Sequence, residues 1–154
     1  MTINLKNFFN PKNKLSKMRD FQDLDHLNGL SISSMSADLY GDARDDITLF
    51  YFTEGAKYAS LYTKSKIISE NIKYNLKLQN KLVKALFINT KNANAFTGKP
   101  GFECLKELSK EISKELTLKA SRYGFGTNDV IKPNQILFAS TGVIGEEFPI
   151  EKIK

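Results

Sequence analysis

The sequence predicts a mixed α/β fold, because strand-like segments alternate along the chain with segments of helical periodicity. Two observations carry this prediction. The run Ile47–Phe52 (Ile-Thr-Leu-Phe-Tyr-Phe) has the β-branched and aromatic composition of a buried strand. Between Phe102 and Ala120, apolar residues recur every three or four positions, as on one face of a helix. With 154 residues, 41% of them hydrophobic, the chain is long enough for one domain with a core.

Further strands are predicted where apolar runs are bounded by turn residues. The predicted strands are Gly29–Ala37, Ile47–Phe52, Ala59–Thr63, Lys84–Thr90 and Ile136–Ala139. A charged turn, Asp42–Asp46, precedes the second strand, and a polar loop with Gly and Pro as breakers, Lys91–Pro100, follows the fourth. This order predicts a layered α/β domain over residues 29–154, preceded by a polar lead-in segment over residues 1–28.

Helices are predicted in three places. The segment Ile67–Leu78 has partial helical periodicity, and the long amphipathic helix from Phe102 ends near Tyr123–Gly126, where glycines follow. Pro149 is suited to open a final short helix, because proline is tolerated in the first turn. We find no internal repeat and no low-complexity block.

Charge and rare residues restrict the functional classes. The formal net charge is +6, but the basic residues are twenty Lys and only three Arg, without a long basic run. A solvated lysine-rich surface is therefore favoured over a nucleic-acid interface. His26 is the only histidine and Cys104 the only cysteine, so we expect no metal site, no cofactor and no internal disulfide. Without a signal-like or membrane-spanning segment, a cytoplasmic protein without a membrane partner is expected.

Three short segments resemble ligand-binding motifs, but none of them is favoured as a binding site. Thr97-Gly98-Lys99 resembles the end of a phosphate-binding loop, but Ala93 and Pro100 stand where that motif needs Gly and Ser or Thr. Gly124 and Gly126 lack the third glycine of a dinucleotide motif and follow a helix instead of a strand. The carboxylates of the Asp42–Asp46 turn could bind a cation, but a solvated turn is the favoured interpretation.

Two loops at strand ends carry the remaining chemistry. In the first, Asn89–Gly98, the side chains of Asn92 and Asn94 could contact a polar substrate, but hydrogen bonding to the loop backbone is favoured. In the second, Ala139–Gly145, a Thr hydroxyl stands beside a glycine, which lets the backbone approach a ligand closely or adopt a positive φ. Such a pair can give two hydrogen bonds to one oxygen, as an oxyanion hole requires, although ordinary strand-to-loop turns also contain Thr and Gly.

Taken together, the two loops resemble those of the ornithine acetyltransferase family. The segment Lys84–Gly98 is similar to the family's VNSGNANAxTG stretch, and Gly101–Cys104 stands where the family has GxxDA. The segment Ala139–Gly145, with Phe148–Ile150 and Ile153, matches STGVIGxxLPMxxI, and STGVIG is the most specific string.

The resemblance extends more loosely upstream and covers about residues 29–154. Arg44–Leu49 resembles RxDLAL, and Ala59–Thr63 resembles AxVFTTN. Departures from the family pattern occur as well: Thr90-Lys91 replaces Ser-Gly, and Glu103-Cys104 replaces Asp-Ala.

The resemblance implies a specific activity. Family members transfer an acetyl group from N-acetylornithine to glutamate, and some also use acetyl-CoA. Their fold is an α/β sandwich reminiscent of N-terminal nucleophile hydrolases. A precursor cuts itself into two chains, and the new N-terminal Thr of the second chain forms an acetyl-enzyme. Thr141 and Gly142 match the family's oxyanion hole, so this chain is expected to supply it.

The resemblance also implies that this chain is incomplete by itself. The family's nucleophile lies beyond the STGVIG segment, in a threonine-rich stretch that these 154 residues lack. We therefore expect the isolated chain to be inactive and its partner to be the second chain of the same precursor, in a hetero-oligomer of two-chain units. The alternative is a basic, non-enzymatic module that binds an acidic partner or nucleic acid.

Overall fold

The structure, a computed structural model, describes residues 27–42, 44–78, 82–123 and 130–154. Strands and helices alternate along the chain. The strands are β1 (Leu30–Met35), β2 (Ile47–Lys57), β3 (Leu82–Asn89) and β4 (Ile136–Ser140), and the helices are α1 (Glu70–Leu76), α2 (Gly98–Tyr123) and α3 (Ile150–Ile153), with a 3-10 turn at Pro133–Gln135. The predicted α/β class is confirmed. Nearly all of the lead-in segment 1–28, with His26, lies outside the described residues, as do Gly124 and Gly126.

The four strands form one sheet in the order β1-β2-β3-β4. β2 runs antiparallel to both of its neighbours, β1 and β3, whereas β3 and β4 are parallel and are joined through the long helix α2. Parallel strands bring their carboxyl ends to the same edge of a sheet. Asn89, the last residue of β3, therefore lies beside Ser140, the last residue of β4. The two loops singled out in the sequence start at these two residues.

One face of the sheet, called the inner face below, carries the core. Leu105 of α2 and Ile136 of β4 are fully buried there, and Tyr74 of α1 contacts Phe138 edge to face with ring centroids 5.1 Å apart. The apolar residues of α2, which recur every three or four positions, form the face that packs on the sheet, as the sequence predicted. Replacing such a buried leucine by alanine costs about 2–5 kcal/mol, so this contact fixes the position of α2.

The opposite face of the sheet, the outer face, is apolar and only partly covered. Because side chains alternate along a strand, paired residues form a row across all four strands. The row contains Ile32, Phe50, Leu86 and Leu137. Ile32 is 48% exposed, and the other three are partly buried. The described helices pack on the inner face and leave this row accessible.

Two strand predictions need correction. β2 continues five residues beyond the predicted end at Phe52, with an irregularity between Tyr51 and Ala56 that contains Gly55 at φ +79°. The predicted strand Ala59–Thr63 is wrong: this segment is irregular, and Leu61 is fully exposed. Among the described residues no strand pairs with this segment, and pairing, not composition, decides whether a strand forms.

Helix boundaries also differ from expectation. α1 begins at Glu70 and not at Ile67, because the Ser69 side chain accepts a hydrogen bond from the Ile72 N–H and caps the helix there. α2 begins at Gly98, so the loop expected over Lys91–Pro100 is shorter than predicted. Pro100 is accommodated because the first turn of a helix needs no N–H from it. Among the helices that the structure describes, none combines the length and the hydrophobicity that a membrane-spanning helix needs.

Candidate functional site

The loops after β3 and β4 lie side by side and are joined by backbone hydrogen bonds. We call residues 90–97 the first loop and residues 141–147 the second loop. The Val143 N–H donates to the Lys91 carbonyl at 2.7 Å, and the Val143 carbonyl accepts from the Ala93 N–H at 3.0 Å. Further along, the Gly145 N–H donates to the Ala95 carbonyl at 2.9 Å. The parallel pairing of β3 and β4 thus continues beyond the sheet and fixes the two loops relative to each other.

Thr141 and Gly142, the predicted oxyanion pair, lie at the start of the second loop and are exposed. The backbone N–H of Thr141 donates to the Asn89 carbonyl at 3.1 Å. Neither the Thr141 hydroxyl nor the Gly142 N–H has an acceptor among the described residues. Two neighbouring donors are therefore available to an external oxygen, which is the chemical requirement for stabilising an oxyanion.

The first loop has an unusual backbone. Three residues of the first loop adopt positive φ angles: Lys91 (+72°), Asn94 (+46°) and Phe96 (+60°). Gly98, directly after the loop, also has a positive φ angle (+62°). Such angles are uncommon for residues with a side chain, and they persist only where the surrounding contacts fix the backbone. In this loop, the contacts that fix it come from three buried asparagines.

Asn89 joins the ends of the two strands. Its side chain is buried, with 1% of the residue exposed, and its amide N–H groups donate to the carbonyls of Asn92 at 2.9 Å and Thr90 at 3.2 Å. Its carbonyl oxygen accepts from the Ser140 hydroxyl. The residue directly before Thr141 is therefore held by a side chain of β3.

Asn92 reaches across to the far end of the second loop. Its amide donates to two successive carbonyls, those of Glu146 at 3.1 Å and Glu147 at 3.0 Å. Its carbonyl oxygen accepts from the Asn94 backbone N–H at 2.8 Å. With 2% of the residue exposed, this side chain cannot contact a substrate without rearrangement.

Asn94 attaches the first loop to the helices. Its amide donates to the Asn71 side chain and to the Gly101 carbonyl, both at 3.2 Å, and its side-chain oxygen accepts from Thr97 at 2.6 Å. Its backbone carbonyl accepts from the Glu70 N–H at the start of α1. Asn92 and Asn94 thus fix the loop, as the favoured interpretation of the sequence had it. No pattern in the sequence indicated that the Asn71 side chain helps to fix the first loop.

The charged turn before β2 is only partly the solvated turn that was predicted. Asp42 is exposed and forms an ion pair with Arg44, which holds the pKa of the Asp42 carboxyl below its usual value. Asp46, in contrast, is 2% exposed. Its carboxylate accepts from the N–H groups of Ala37 and Leu39, both at 2.7 Å. Its role is structural, because it fixes the chain between β1 and β2.

Asp46 also supports the first loop, since its backbone carbonyl accepts from the Thr90 N–H at 2.8 Å. Within the described ranges, no group of three or more His, Cys, Asp or Glu side chains is placed to hold a metal ion.

Cys104 is not activated as a nucleophile. It is partly buried on α2, and its pKa is raised, first by burial and then by the negative charge of Glu107, with Lys154 acting in the opposite direction. A raised pKa disfavours the thiolate, which is the reactive form.

A groove of about 520 Å³ between α1 and α2 bears on the alternative of a basic binding module. It is lined partly by lysines, but Lys73 is paired with Glu70 at 2.5 Å and Lys106 with Glu103 at 2.9 Å. Lys77 and Lys99 line it as well, so four lysines face two glutamates and the groove keeps an excess of positive charge. The two ion pairs neutralise half of the lysines, so the groove gives the alternative of a basic module only limited support.

The fold and the two loops define a class of protein: an α/β domain with two free hydrogen-bond donors at the adjoining carboxyl ends of two parallel strands. The match to a family model is more specific. Residues 31–154 match the model of the ArgJ family, and the chain belongs to that family. The resemblance stated from the sequence motifs is confirmed.

Curated relatives support this assignment at moderate identity. The chain is 32% identical over 133 residues to the arginine biosynthesis bifunctional protein ArgJ of Bradyrhizobium diazoefficiens, with 86% of the chain and 29% of the relative covered. It is 30% identical over 135 residues to the protein of the same name from Agrobacterium fabrum, covering 87% and 30%. The chain thus spans about 30% of the length of the curated relatives it matches.

Solved structures show the same fold. The arginine biosynthesis bifunctional protein of Bacillus halodurans aligns with a TM-score of 0.65 and 24% identity, covering 82% of this chain and 60% of that one. Ornithine acetyltransferase of Mycobacterium tuberculosis, solved in complex with ornithine, aligns with a TM-score of 0.69 and 22% identity, covering 82% and 62%.

Proposed function

We propose that this chain is the N-terminal portion of a glutamate N-acetyltransferase of arginine biosynthesis and that Thr141 and Gly142 are its oxyanion hole. Membership of the ArgJ family supports the reaction class. The observation that carries the site assignment is the free pair of donors, the Thr141 hydroxyl and the Gly142 N–H, at the end of β4. We place the enzyme in the cytoplasm.

The proposed reaction has two half-reactions with the same electrostatic requirement. The N-terminal Thr of the second chain attacks the acetyl carbonyl of N-acetylornithine, and its proton passes through its own α-amine to the leaving ornithine amine as the C–N bond breaks. The amine of glutamate then attacks the acetyl-Thr ester, the C–O bond breaks, and the proton returns to the Thr oxygen. The carbonyl oxygen becomes an oxyanion in both steps.

In this proposal, the chain contributes electrostatic stabilisation, and the second chain contributes the nucleophile. Both donors belong to adjacent residues of a loop that the backbone bonds to Lys91 and Ala95 hold in place. Donors that are already in position need no rearrangement when charge develops. Removing one such donor slows turnover by about 10²- to 10³-fold in enzymes of this type.

The surroundings of the pair also support a partner or a substrate at this position. Phe96 is 69% exposed, Ile144 is 63% exposed and Val143 is 41% exposed, all within the two loops. Apolar side chains clustered beside free polar donors are typical of a surface that a ligand or another chain covers. We propose that the second chain of the precursor covers them, and that without it the isolated chain has no acetyltransferase activity.

The test is the replacement of Thr141 in the complete two-chain enzyme. Thr141→Ala removes the hydroxyl, and we expect kcat to fall by about 10²-fold or more with little change in the free energy of unfolding. Thr141→Ser keeps the hydroxyl and is expected to retain most activity. Equal activity of Thr141→Ala and the parent enzyme would remove the assigned role, and acetyl transfer by the isolated chain would remove the requirement for a second chain.

A further inference from the structure

Resting on the proposed function, we propose that Asn92 is a positioning residue for the oxyanion hole. Its buried amide holds the second loop closed, so that Thr141 and Gly142 present their donors in one fixed geometry. Asn92 does not touch the reacting atoms in this proposal. It acts through the backbone of the second loop.

The first loop binds the second loop at both ends, and the Asn92 side chain makes the contact at the far end. At the near end, the backbone on either side of Asn92 pairs with Val143, through the Lys91 carbonyl and the Ala93 N–H. At the far end, the Asn92 side chain donates to the carbonyls of residues 146 and 147 at 3.1 and 3.0 Å. Gly142 directly precedes Val143, the residue held at the near end. A shift of the second loop would therefore move the Gly142 N–H.

Only a carboxamide satisfies all three partners of this side chain. Two carbonyl oxygens require two donors, and the Asn94 N–H, at 2.8 Å, requires an acceptor. Aspartate has the same shape, but it would place a carboxylate oxygen against two carbonyl oxygens. Since the site is 2% exposed, water cannot easily compensate for the two lost donors.

Oxyanion stabilisation is sensitive to small displacements. The donors must lie at hydrogen-bond distance from the position that the oxyanion occupies, and a misplacement of about 1 Å can cost roughly 10²-fold in rate. A residue that fixes the loop should therefore affect kcat more than KM, because the ground state of the substrate depends less on these donors.

The experiment compares Asn92→Asp with Asn75→Asp in the complete two-chain enzyme. Asn75 is the control, because its amide likewise donates to a backbone carbonyl, that of Phe138 at 2.8 Å, and its oxygen accepts from the Phe138 N–H. It has one carbonyl partner where Asn92 has two, and it is partly buried. Both substitutions remove amide donors and keep the acceptor. We expect Asn92→Asp to lower kcat about 10- to 100-fold with KM for N-acetylornithine changed less than about threefold. Asn75→Asp should keep kcat.

Hydrogen exchange gives a second readout that does not depend on activity. In Asn92→Asp, peptides covering residues 141–147 should exchange faster, whereas peptides of β3 should not. If Asn92→Asp does not fold, Asn92→Gln, which keeps both donors but displaces them by one methylene, takes its place with the same expected pattern.

The outcomes separate the two proposals. If kcat of the Asn92 variant equals that of Asn75→Asp, or exchange over residues 141–147 is unchanged, the positioning role is overturned even when Thr141→Ala is impaired. If Thr141→Ala keeps full activity, the oxyanion assignment fails, and with it the catalytic consequence proposed for Asn92.

Discussion

Gly142 packs directly against the backbone of Lys91. A Cβ atom at residue 142 would lie 2.1 Å from the carbonyl carbon of Lys91, 2.2 Å from its oxygen and 2.6 Å from the backbone nitrogen of Asn92. Backbone atoms cannot move aside as a flexible side chain can. The two loops of the candidate site therefore approach each other as closely as they do only because residue 142 has no side chain.

This close approach predicts that Gly142→Ala destabilises the protein. The added methyl group must force the loops apart, and the φ angle of +136° at residue 142 is also unfavourable for alanine. We expect a loss of about 1–3 kcal/mol in the free energy of unfolding, measured by urea denaturation. Gly145→Ala is the matched control, because Gly145 has φ +84° but no atom within 4 Å of the position that an added Cβ would take. Equal losses in the two variants would show that contact with Lys91 is unimportant.

Replacing Lys91 by glycine is predicted to stabilise the protein, which is the opposite of the effect expected for Gly142→Ala. It adopts φ +72° where the family motif has glycine, and a left-handed conformation costs about 1–2 kcal/mol for a residue with a Cβ. Lys91→Gly is expected to stabilise the protein by about 0.5–1 kcal/mol, after the greater flexibility of glycine in the unfolded chain is included. Thermal unfolding measures the effect. Lys91→Ala, which loses the same side chain but keeps the Cβ, should not stabilise, and a gain in that variant would contradict the explanation.

The raised pKa of Cys104 predicts slow chemical modification. At a given pH near 8, a thiol with a raised pKa has a smaller thiolate fraction than free cysteine, so alkylation by iodoacetamide should be slower in the folded chain. The rate should rise as the pH rises, and the midpoint should lie above that of the unfolded chain in guanidinium.

Glu107→Gln separates charge from burial as the cause of this shift. Glu107 raises the pKa of Cys104 and is ion-paired with Lys154, which lowers that pKa. The substitution removes one negative charge and releases the lysine, so alkylation should become faster at constant pH. An unchanged rate would show that the charge of Glu107 does not contribute to the raised pKa.

The outer face of the sheet predicts self-association of the isolated chain. Its apolar row ends in Ile32, which is 48% exposed on the edge strand β1, and exposed apolar edges promote pairing between copies. Light scattering of the isolated chain should show concentration-dependent association. Ile32→Lys should reduce it, whereas Ser33→Lys, which adds the same charge on the opposite face of the same strand, should not. A monodisperse monomer for the parent chain would contradict this prediction.

Much of the fold could be predicted from local sequence patterns. The apolar periodicity from Phe102 to Ala120 predicted the buried face of α2, because periodicity records which side of a helix meets the core. The composition of Ile47–Phe52 predicted β2 for a similar reason. The same composition rule failed at Ala59–Thr63, because a strand also needs a partner and none of the strands that the structure describes pairs with this segment.

The sequence by itself determined the α/β class, the family and the identity of Thr141 and Gly142 as the candidate pair, because motifs and periodicities are local properties. Only the tertiary structure decided how these residues are held. The burial of Asp46, the clamp that Asn92 makes on residues 146 and 147, and the contact of Gly142 with Lys91 join residues that are far apart in the chain. The last two contacts depend on β3 and β4 lying parallel and adjacent, and no single segment of the sequence encodes that relationship.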